Sequence, residues 1–144
     1  MPEIAKKRPE FRNINAFRDL PTYRWPVASI VSGMHRISGV LMFALLPFVI
    51  WLFDTSVSSE ISFARFRSAF QNGIGFAPGV LVKLVVLALI WAYLHHLFAG
   101  LRHLWSDVSH AAVAKSAGAK SAQIVLVATA VLTVALGAKL FGLY

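Results

Sequence analysis

Three long stretches without a charged residue constrain the fold of this chain more than any other feature of its sequence. Within residues 36–54, 83–102 and 120–139, uncharged runs of 17, 18 and 18 residues separate the flanking charged side chains. A helix of 18 residues rises about 27 Å, which is close to the thickness of the hydrocarbon core of a bilayer. Each run therefore predicts one transmembrane helix.

The first predicted span begins earlier than its uncharged run. Residues 25–35 are also uncharged, and Trp25-Pro26 suits the start of a helix at a membrane interface. This start places Arg36 inside the membrane. The predicted spans are residues 27–53, 80–104 and 120–142.

A soluble helical bundle is the alternative to a membrane protein. Its helices would each carry a polar stripe with a period of 3.6 residues, and residues 84–94 carry none. We therefore expect an all-α integral membrane protein with three transmembrane helices. Residues 1–24 would form a basic cytoplasmic or interfacial arm, and residues 25–144 the transmembrane domain.

Composition excludes several classes of function. The chain is 58% hydrophobic and only 14% charged, which is too apolar for an ordinary soluble domain. It contains no Cys, so thiolate-bound iron–sulfur clusters, C-x-x-C-H haem attachment and disulfides are excluded, and a metal would have to be held by His. A net charge of +8 could indicate nucleic-acid binding, but in so apolar a chain it favours a membrane-side charge bias, so we expect no nucleic-acid partner.

The first 25 residues are basic and polar and have no apolar core, unlike a secretory signal peptide. Glu3, Glu10 and Asp19 are also atypical of an organellar transit peptide. These features favour a bacterial inner membrane over a mitochondrial precursor.

The distribution of Lys and Arg in short flanking segments predicts the orientation. Nine such residues lie on the side of the N-terminus: Lys6, Lys7, Arg8, Arg12, Arg18, Arg24, Arg102, Lys115 and Lys120. Four lie on the other side: Arg65, Arg67, Lys83 and Lys139. The bias places the N-terminus in the cytoplasm and the C-terminus in the periplasm.

The loop between the first two spans carries a further helical signal. Phe63, Phe66 and Phe70 recur at helical spacing beside Arg65 and Arg67. This pattern is typical of a short amphipathic helix at a membrane interface.

The second span holds one group of ionisable residues, which are expensive inside a membrane and tend to be functional or paired. His96, Gly100 and His103 lie at i, i+4 and i+7 on one face of a helix, with Arg102 beside them. A porphyrin needs an imidazole for its iron, a small residue for close approach and cations near its propionates. His96 could instead only hydrogen-bond a neighbouring helix, and Gly100 could mark a helix crossing. His95 points roughly 100° away from His96, so one of the two should have another role.

The first span holds the second group. Ser32 and Arg36 lie one helical turn apart in a stripe of small and polar residues. A hydroxyl and a guanidinium facing a pocket could both donate hydrogen bonds to the carbonyl oxygen of a quinone headgroup. Alternatively, Arg36 could snorkel to the cytoplasmic surface. Because the two spans run in opposite directions, Arg36 and His96 should lie at similar depth.

Taken together, these segments resemble the cytochrome b membrane subunit of succinate dehydrogenase. The resemblance rests on four motifs: Arg8-Pro9, Tyr23-Arg24-Trp25-Pro26, S-x-x-H-R-x-S-G from Ser32 to Gly39, and H-x3-G-x-R-H-x3-D from His96 to Asp107. They occur in the order found in that family, and the third span matches by hydropathy alone. The last two motifs together are far more specific than either alone.

The resemblance implies that His96 is one axial ligand of haem b, with the other His on a second small membrane subunit. His35, Arg36 and His103 would lie near the propionates, and Ser32 and Arg36 would line the quinone site. The chain departs from the family pattern where His95 doubles the ligand position, and only His96 has a Gly four residues and a His seven residues further on.

We therefore predict the membrane-anchor subunit of a succinate:quinone oxidoreductase, without enzymatic activity on its own. A flavoprotein and an iron–sulfur subunit would oxidise succinate and pass electrons to ubiquinone or a related quinone, linking the tricarboxylic acid cycle to the respiratory chain. The alternative is a small transporter or proton-conducting protein that uses Arg36, His95, His96 and His103 as a polar relay without haem.

The predicted orientation can be tested by labelling. We expect a Cys introduced at Ala117 to be protected in intact cells from a membrane-impermeant thiol reagent, and one at Ser58 to react, because the charge bias places them on opposite sides. Labelling at position 117 and protection at position 58 would reverse the orientation.

Overall fold

All regular structure in the described part of the chain is helical. The computed structural model describes residues 13–144; the Arg8-Pro9 motif and half of the predicted basic arm lie outside this range. The helices are α1 (Ala16–Asp19), α2 (Val27–Ala44), α3 (Leu46–Val57), α4 (Glu60–Gln71), α5 (Gly79–Val108) and α6 (Lys115–Leu140). Short 3-10 turns occupy Leu20–Thr22 and His110–Val113.

Three of these helices, α2, α5 and α6, are long and apolar enough to cross a membrane. With 30 and 26 residues, α5 and α6 rise about 45 and 39 Å and exceed the hydrocarbon thickness. The predicted class, an all-α membrane protein with three transmembrane helices, is confirmed. The division of the chain near residue 25 into arm and membrane domain stays a prediction.

The first span consists of two helices rather than one. α2 begins at Val27, directly after Pro26, as the Trp25-Pro26 pair predicts. It ends at Ala44, and α3 starts at Leu46 after a break at Leu45. Pro47 has no N–H to donate to the preceding turn and its ring crowds that turn, which explains the break.

The bundle core is made of small residues. α5 lies at the centre and packs against both α2 and α6. The buried cluster joins Val31 of α2, Ala99 of α5, and Ala122 and Val125 of α6. Small side chains allow helix backbones to approach closely, which is how helices associate in lipid. Many large apolar side chains point outward instead, such as Phe43, which is 79% exposed, as expected where lipid is the solvent.

The helix predicted from the Phe spacing is present as α4. The Ser59 Oγ accepts a hydrogen bond from the Ser62 N–H at 3.1 Å, and the Ser62 Oγ accepts one from the Ser59 N–H at 2.8 Å, which forms a capping box. The rings of Phe63, Phe66 and Phe70 contact one another in sequence along the helix. α4 packs against α5 near the point where α5 begins.

The turn between α4 and α5 is unusually tight. Gly73 adopts a φ of 106°, which a residue with a side chain rarely does. A Cβ on Gly79 would lie 2.7 Å from the carbonyl oxygen of Phe70 and 2.8 Å from that of Gln71. Both neighbours are backbone atoms, so they cannot move aside as a side-chain tip could.

Gly79→Ala should therefore destabilise the protein. We expect the unfolding free energy in detergent to fall by about 1–3 kcal/mol, as for other overpacked sites. Gly33→Ala is the matched control, because a Cβ there has no neighbour within 4 Å, and it should not destabilise the chain. Equal stability of Gly79→Ala and the wild-type protein would contradict this account of the turn.

Candidate functional site

His96 lies on α5 where this helix crosses α2. Its Nδ1 is 3.1 Å from the backbone carbonyl oxygen of His35 and 3.2 Å from the Ser38 Oγ. A carbonyl oxygen can only accept, so Nδ1 carries the proton and donates it to His35. The Ser38 hydroxyl donates to the same carbonyl at 2.8 Å. In the neutral ring, the lone pair therefore resides on Nε2.

The Nε2 of His96 is accessible. It has no hydrogen-bond partner among residues 13–144, and the only buried ring nitrogens without a partner in that range are His35 Nε2 and His95 Nδ1. His96 thus presents an accessible nitrogen lone pair on a ring that α2 holds in place. This is the arrangement of a metal-binding His, whose other ring nitrogen usually donates to a carbonyl or carboxylate.

His95 is used differently from its neighbour. Its side chain is fully buried, its Nε2 lies 3.3 Å from the Val31 carbonyl oxygen, and its ring stacks on Trp91. The carbonyl again identifies the donor, so Nε2 carries the proton. The remaining nitrogen, Nδ1, is buried and has no partner among the described residues. His95 can therefore reach no group outside the chain without rearrangement.

Three imidazoles lie in a row along the α2–α5 interface. The His35 ring stacks on His96, with centroids 4.0 Å apart and an interplanar angle of 29°. The His103 ring lies 5.3 Å beyond His35. The sequence predicts that His96 and His103 share a face, and the structure inserts His35 of α2 between them.

The tight position beside His96 is Gly39 rather than Gly100. A Cβ on Gly39 would lie 3.1 Å from the His96 Cε1, whereas a Cβ on Gly100 would make an ordinary contact at 3.8 Å with the His35 Nε2. Sequence reasoning assigned the small-residue role only to Gly100. The signal for Gly39 was its place at the end of the S-x-x-H-R-x-S-G motif, but the contact joins two helices and cannot be read from one.

An open cavity of about 520 Å³ lies between the start of α2 and the end of α5. Its lining residues are Trp25, Ala28, Ser29, Ser32, Gly33, Arg36, Arg102 and His103. The predicted pair Ser32 and Arg36 thus shares one cavity with two residues predicted from the other motif. Trp25 and Ser29 are additions to that pair. Ser29 belongs to the predicted stripe of small and polar residues, one turn before Ser32 and two turns before Arg36.

The hydroxyl groups in this cavity are available for a ligand. The Ser29 and Ser32 hydroxyls have no hydrogen-bond partner within residues 13–144, whereas Ser38 of the same helix bonds to a carbonyl of the preceding turn. The Arg36 guanidinium likewise makes no hydrogen bond or ion pair with a described residue. The cavity therefore offers neutral and charged donors that the protein itself leaves unused.

Arg102 is held by α6. Its Nε donates to the Ser121 Oγ at 3.0 Å, and its Nη2 donates to the Gly118 carbonyl oxygen at 3.3 Å. Two of the five guanidinium N–H groups are thus committed to the neighbouring helix. Arg102 ties α5 to α6 while its charge borders the cavity, and its predicted place near haem propionates stays a prediction.

Comparison with known proteins identifies the group to which these features correspond. Residues 6–136 match a family model described as succinate dehydrogenase/fumarate reductase transmembrane subunit. The succinate dehydrogenase cytochrome b556 subunit of Paracoccus denitrificans is 32% identical over 115 residues, covering 80% of this chain and 82% of that protein.

Two further relatives carry the same description. The cytochrome b556 subunit of Coxiella burnetii is 35% identical over 91 residues, covering 62% of this chain and 67% of the relative. That of Rickettsia felis is 26% identical over 108 residues, covering 75% and 73%. The matched region of the family model contains α2, α5, the His row and the cavity.

Proposed function

The chain belongs to the succinate dehydrogenase/fumarate reductase transmembrane-subunit family, as its motifs predict, and we propose that it binds haem b and quinone as the membrane anchor of a succinate:quinone oxidoreductase. The observation that carries the proposal is the pairing of His96 with the cavity beside it. An imidazole with an accessible Nε2 and a set of unused hydrogen-bond donors lie at the same end of α2 and α5.

His96 is the proposed axial ligand of haem b. The relatives are named cytochrome b556 subunits, and the His96 residue has the protonation that a haem ligand requires, with Nδ1–H directed at a carbonyl and Nε2 accessible. When bound, haem would supply a one-electron redox centre. Because Gly39 has no side chain, the His96 imidazole ring can lie directly against α2.

The opposite axial ligand must come from elsewhere. His35 stacks directly on His96 at 4.0 Å, which leaves no space for a porphyrin between the two rings, and His95 is sealed in the core. This supports a second small membrane subunit as the donor of the other His. His35, Arg36, Gly100, Arg102 and His103 are the proposed haem neighbours in this chain, and the two Arg residues would balance propionate charge.

The cavity is the proposed quinone site. Ser32 and Arg36 would donate hydrogen bonds to a headgroup carbonyl oxygen, and this donation favours the negative charge that develops on that oxygen as electrons arrive. Full reduction adds two electrons and two protons to the quinone. Arg36 and His103 line this cavity, and the His35 ring stacks on His96 and lies 5.3 Å from the His103 ring, so the proposed quinone and haem sites are adjacent.

The proposed assembly has three other subunits. A flavoprotein and an iron–sulfur subunit would dock on the membrane face at which α2 begins, because the cavity opens near that end. This chain is the membrane subunit of the family, so succinate oxidation would occur on the flavoprotein. Three apolar helices and bacterial relatives fit a multi-pass protein of the bacterial inner membrane, with the N-terminus proposed to be cytoplasmic.

Spectra of variants test the ligand assignment. His96→Leu should abolish the low-spin haem b absorption of the purified complex, because it removes the imidazole whose accessible Nε2 is the proposed iron ligand. His95→Gln should keep it, since an amide N–H can still donate to the Val31 carbonyl. Loss of the signal in His95→Gln but not in His96→Leu would reverse the assignment. Absence of haem from the wild-type complex would favour the relay alternative.

Quinone reduction tests the second site. Losing a charge-assisted bond from Arg36 should cost about 1.5–3 kcal/mol, and losing the neutral Ser32 bond about 0.5–1.5 kcal/mol. Arg36→Leu should therefore lower the efficiency of succinate-to-quinone turnover by about ten- to a hundredfold, and Ser32→Ala by about several-fold.

Two controls separate this site from less specific roles. Ser56→Ala, whose hydroxyl bonds to the Phe53 carbonyl away from the cavity, should have no effect on turnover. Dye reduction at the soluble subunits should survive in all variants. If Arg36→Lys restored full quinone reduction, Arg36 would be a snorkelling cation rather than a fixed donor.

A further inference from the structure

A second polar cavity lies at the opposite end of the bundle from the proposed quinone site. It has a volume of about 400 Å³ and lies between α4, the start of α5 and the end of α6. Its lining residues are Phe66, Arg67, Phe70, Gln71, Lys83 and Leu140. None of them takes part in the haem or quinone proposals.

The cavity carries two positive charges that no described carboxylate pairs with. Neither Arg67 nor Lys83 forms an ion pair with any carboxylate in the part of the chain that the structure describes. No carboxylate lines the cavity among the described residues. Asp54 of α3 accepts a hydrogen bond from Ser58, and Glu60 lies in the first turn of α4, two helical turns before Arg67. Two cations that line one cavity form a site of positive potential that favours an anion.

The depth of the cavity indicates the kind of anion. Lys83 lies four residues into α5, about 6 Å along the helix from Gly79, so its ammonium sits where a transmembrane helix enters the headgroup region. The Lys83 Nζ also lies 5.6 Å from the centre of the Phe141 ring at the end of α6. At this depth the abundant anions are the phosphates of lipids.

The chemistry of the lining suits a phosphate attached to hydrocarbon. A guanidinium presents a planar fork that matches phosphate oxygens, an ammonium adds a point charge, and the Gln71 amide can donate as well. The rings of Phe66 and Phe70, packed edge to face with centroids 5.1 Å apart, form an apolar wall beside these donors together with Leu140. Inorganic phosphate would use the donors but not the apolar wall.

We propose that this cavity binds the headgroup phosphate of an anionic phospholipid in the leaflet opposite the proposed quinone site. Arg67 and Lys83 bind the phosphate oxygens. The apolar wall of Phe66, Phe70 and Leu140 contacts the hydrocarbon of the lipid next to its headgroup. By this contact the lipid joins α4 to the α5–α6 pair, at the end where the Pro47 break has separated α3 from the main helix axis. The proposal does not depend on haem or quinone binding.

The test uses the full-length chain purified in detergent with the subunits that copurify, after removal of bound lipid. Phosphatidylglycerol is added back in mixed micelles, and its binding is measured by native mass spectrometry. A cation near a lipid surface contributes about 1 kcal/mol, so Arg67→Gln and Lys83→Gln should each weaken phosphatidylglycerol binding about fivefold, and the double variant about twenty-five-fold. Lys83→Arg should keep binding, which guards against misfolding as the cause of any loss.

The Arg65 variant serves as the control for charge, and inorganic phosphate serves as the competing anion. Arg65 lies on the same helix two residues before Arg67 but does not line the cavity, so Arg65→Gln should bind phosphatidylglycerol as the wild-type protein does. Inorganic phosphate should not compete at millimolar concentration, because it lacks the hydrocarbon that the apolar wall contacts. Competition by free phosphate would overturn the lipid as the ligand.

Two other outcomes would also overturn the proposal. If Arg65→Gln weakened binding as much as Arg67→Gln, the interaction would be a general attraction to charge at the surface. If the Arg67 and Lys83 variants kept phosphatidylglycerol but lost a copurifying subunit, the two cations would bind a carboxylate of a protein partner instead.

Discussion

The rest of the arrangement depends on one hydrogen bond, from the His96 Nδ1–H on α5 to the backbone carbonyl oxygen of His35 on α2. A side chain in the membrane must find its partner within the protein, because lipid offers none. The bond sets the protonation of the His96 ring and leaves Nε2 accessible. It also fixes the height of α2 against α5, which brings Ser32 and Arg36 beside Arg102 and His103.

Small residues make that bond possible. Gly39 and Ser38 lie against the His96 ring, and Val31, Ala99 and Ala122 form the core next to it, so the helix backbones approach closely. The same closeness lets His95 reach the Val31 carbonyl from the adjacent position on α5. His95 and His96 thus donate to backbone carbonyl oxygens one turn apart on α2. The His95 ring is nevertheless fully buried, whereas the Nε2 of His96 is accessible.

The two ends of the bundle each carry a cavity, and the side chains that line these cavities differ. At the end where α2 begins, polar donors line a cavity, and Arg102 is anchored on α6 by Ser121 and the Gly118 carbonyl. At the other end, beyond the Pro47 break, the tight turn at Gly79 places α4 against α5. Arg67 and Lys83 share a cavity there, and no carboxylate is among its described lining residues. The first end offers hydrogen-bond donors that no described residue uses, as the proposed quinone site requires, and the second offers the paired cations of the proposed lipid site.

The sequence by itself determined the helical class and the number of spans, and it named the polar residues Ser32, Arg36, Arg102 and His103 that the structure brings to one cavity. Charge-free runs of 17 to 18 residues have few structural solutions in lipid, because every backbone group must be bonded internally. Ser32, Arg36, His96 and His103 stand out as polar residues within the predicted spans. The Phe spacing was likewise sufficient for α4, since it depends only on local periodicity.

The sequence favoured His96 over His95 by its spacing to Gly100 and His103, but only the tertiary structure gave each imidazole its hydrogen-bond partner and located the tight contact at Gly39. Helical spacing gives the direction of a side chain around its own axis, but the partner of each imidazole is a carbonyl on another helix, 61 and 64 residues away in the chain. The hydrogen bond from Arg102 to Ser121 of α6 could not be predicted from the sequence for the same reason. Whether a ring nitrogen of His95 or His96 is buried or accessible depends on how α2 packs against α5. The periodicity of one helix contains no information about that packing.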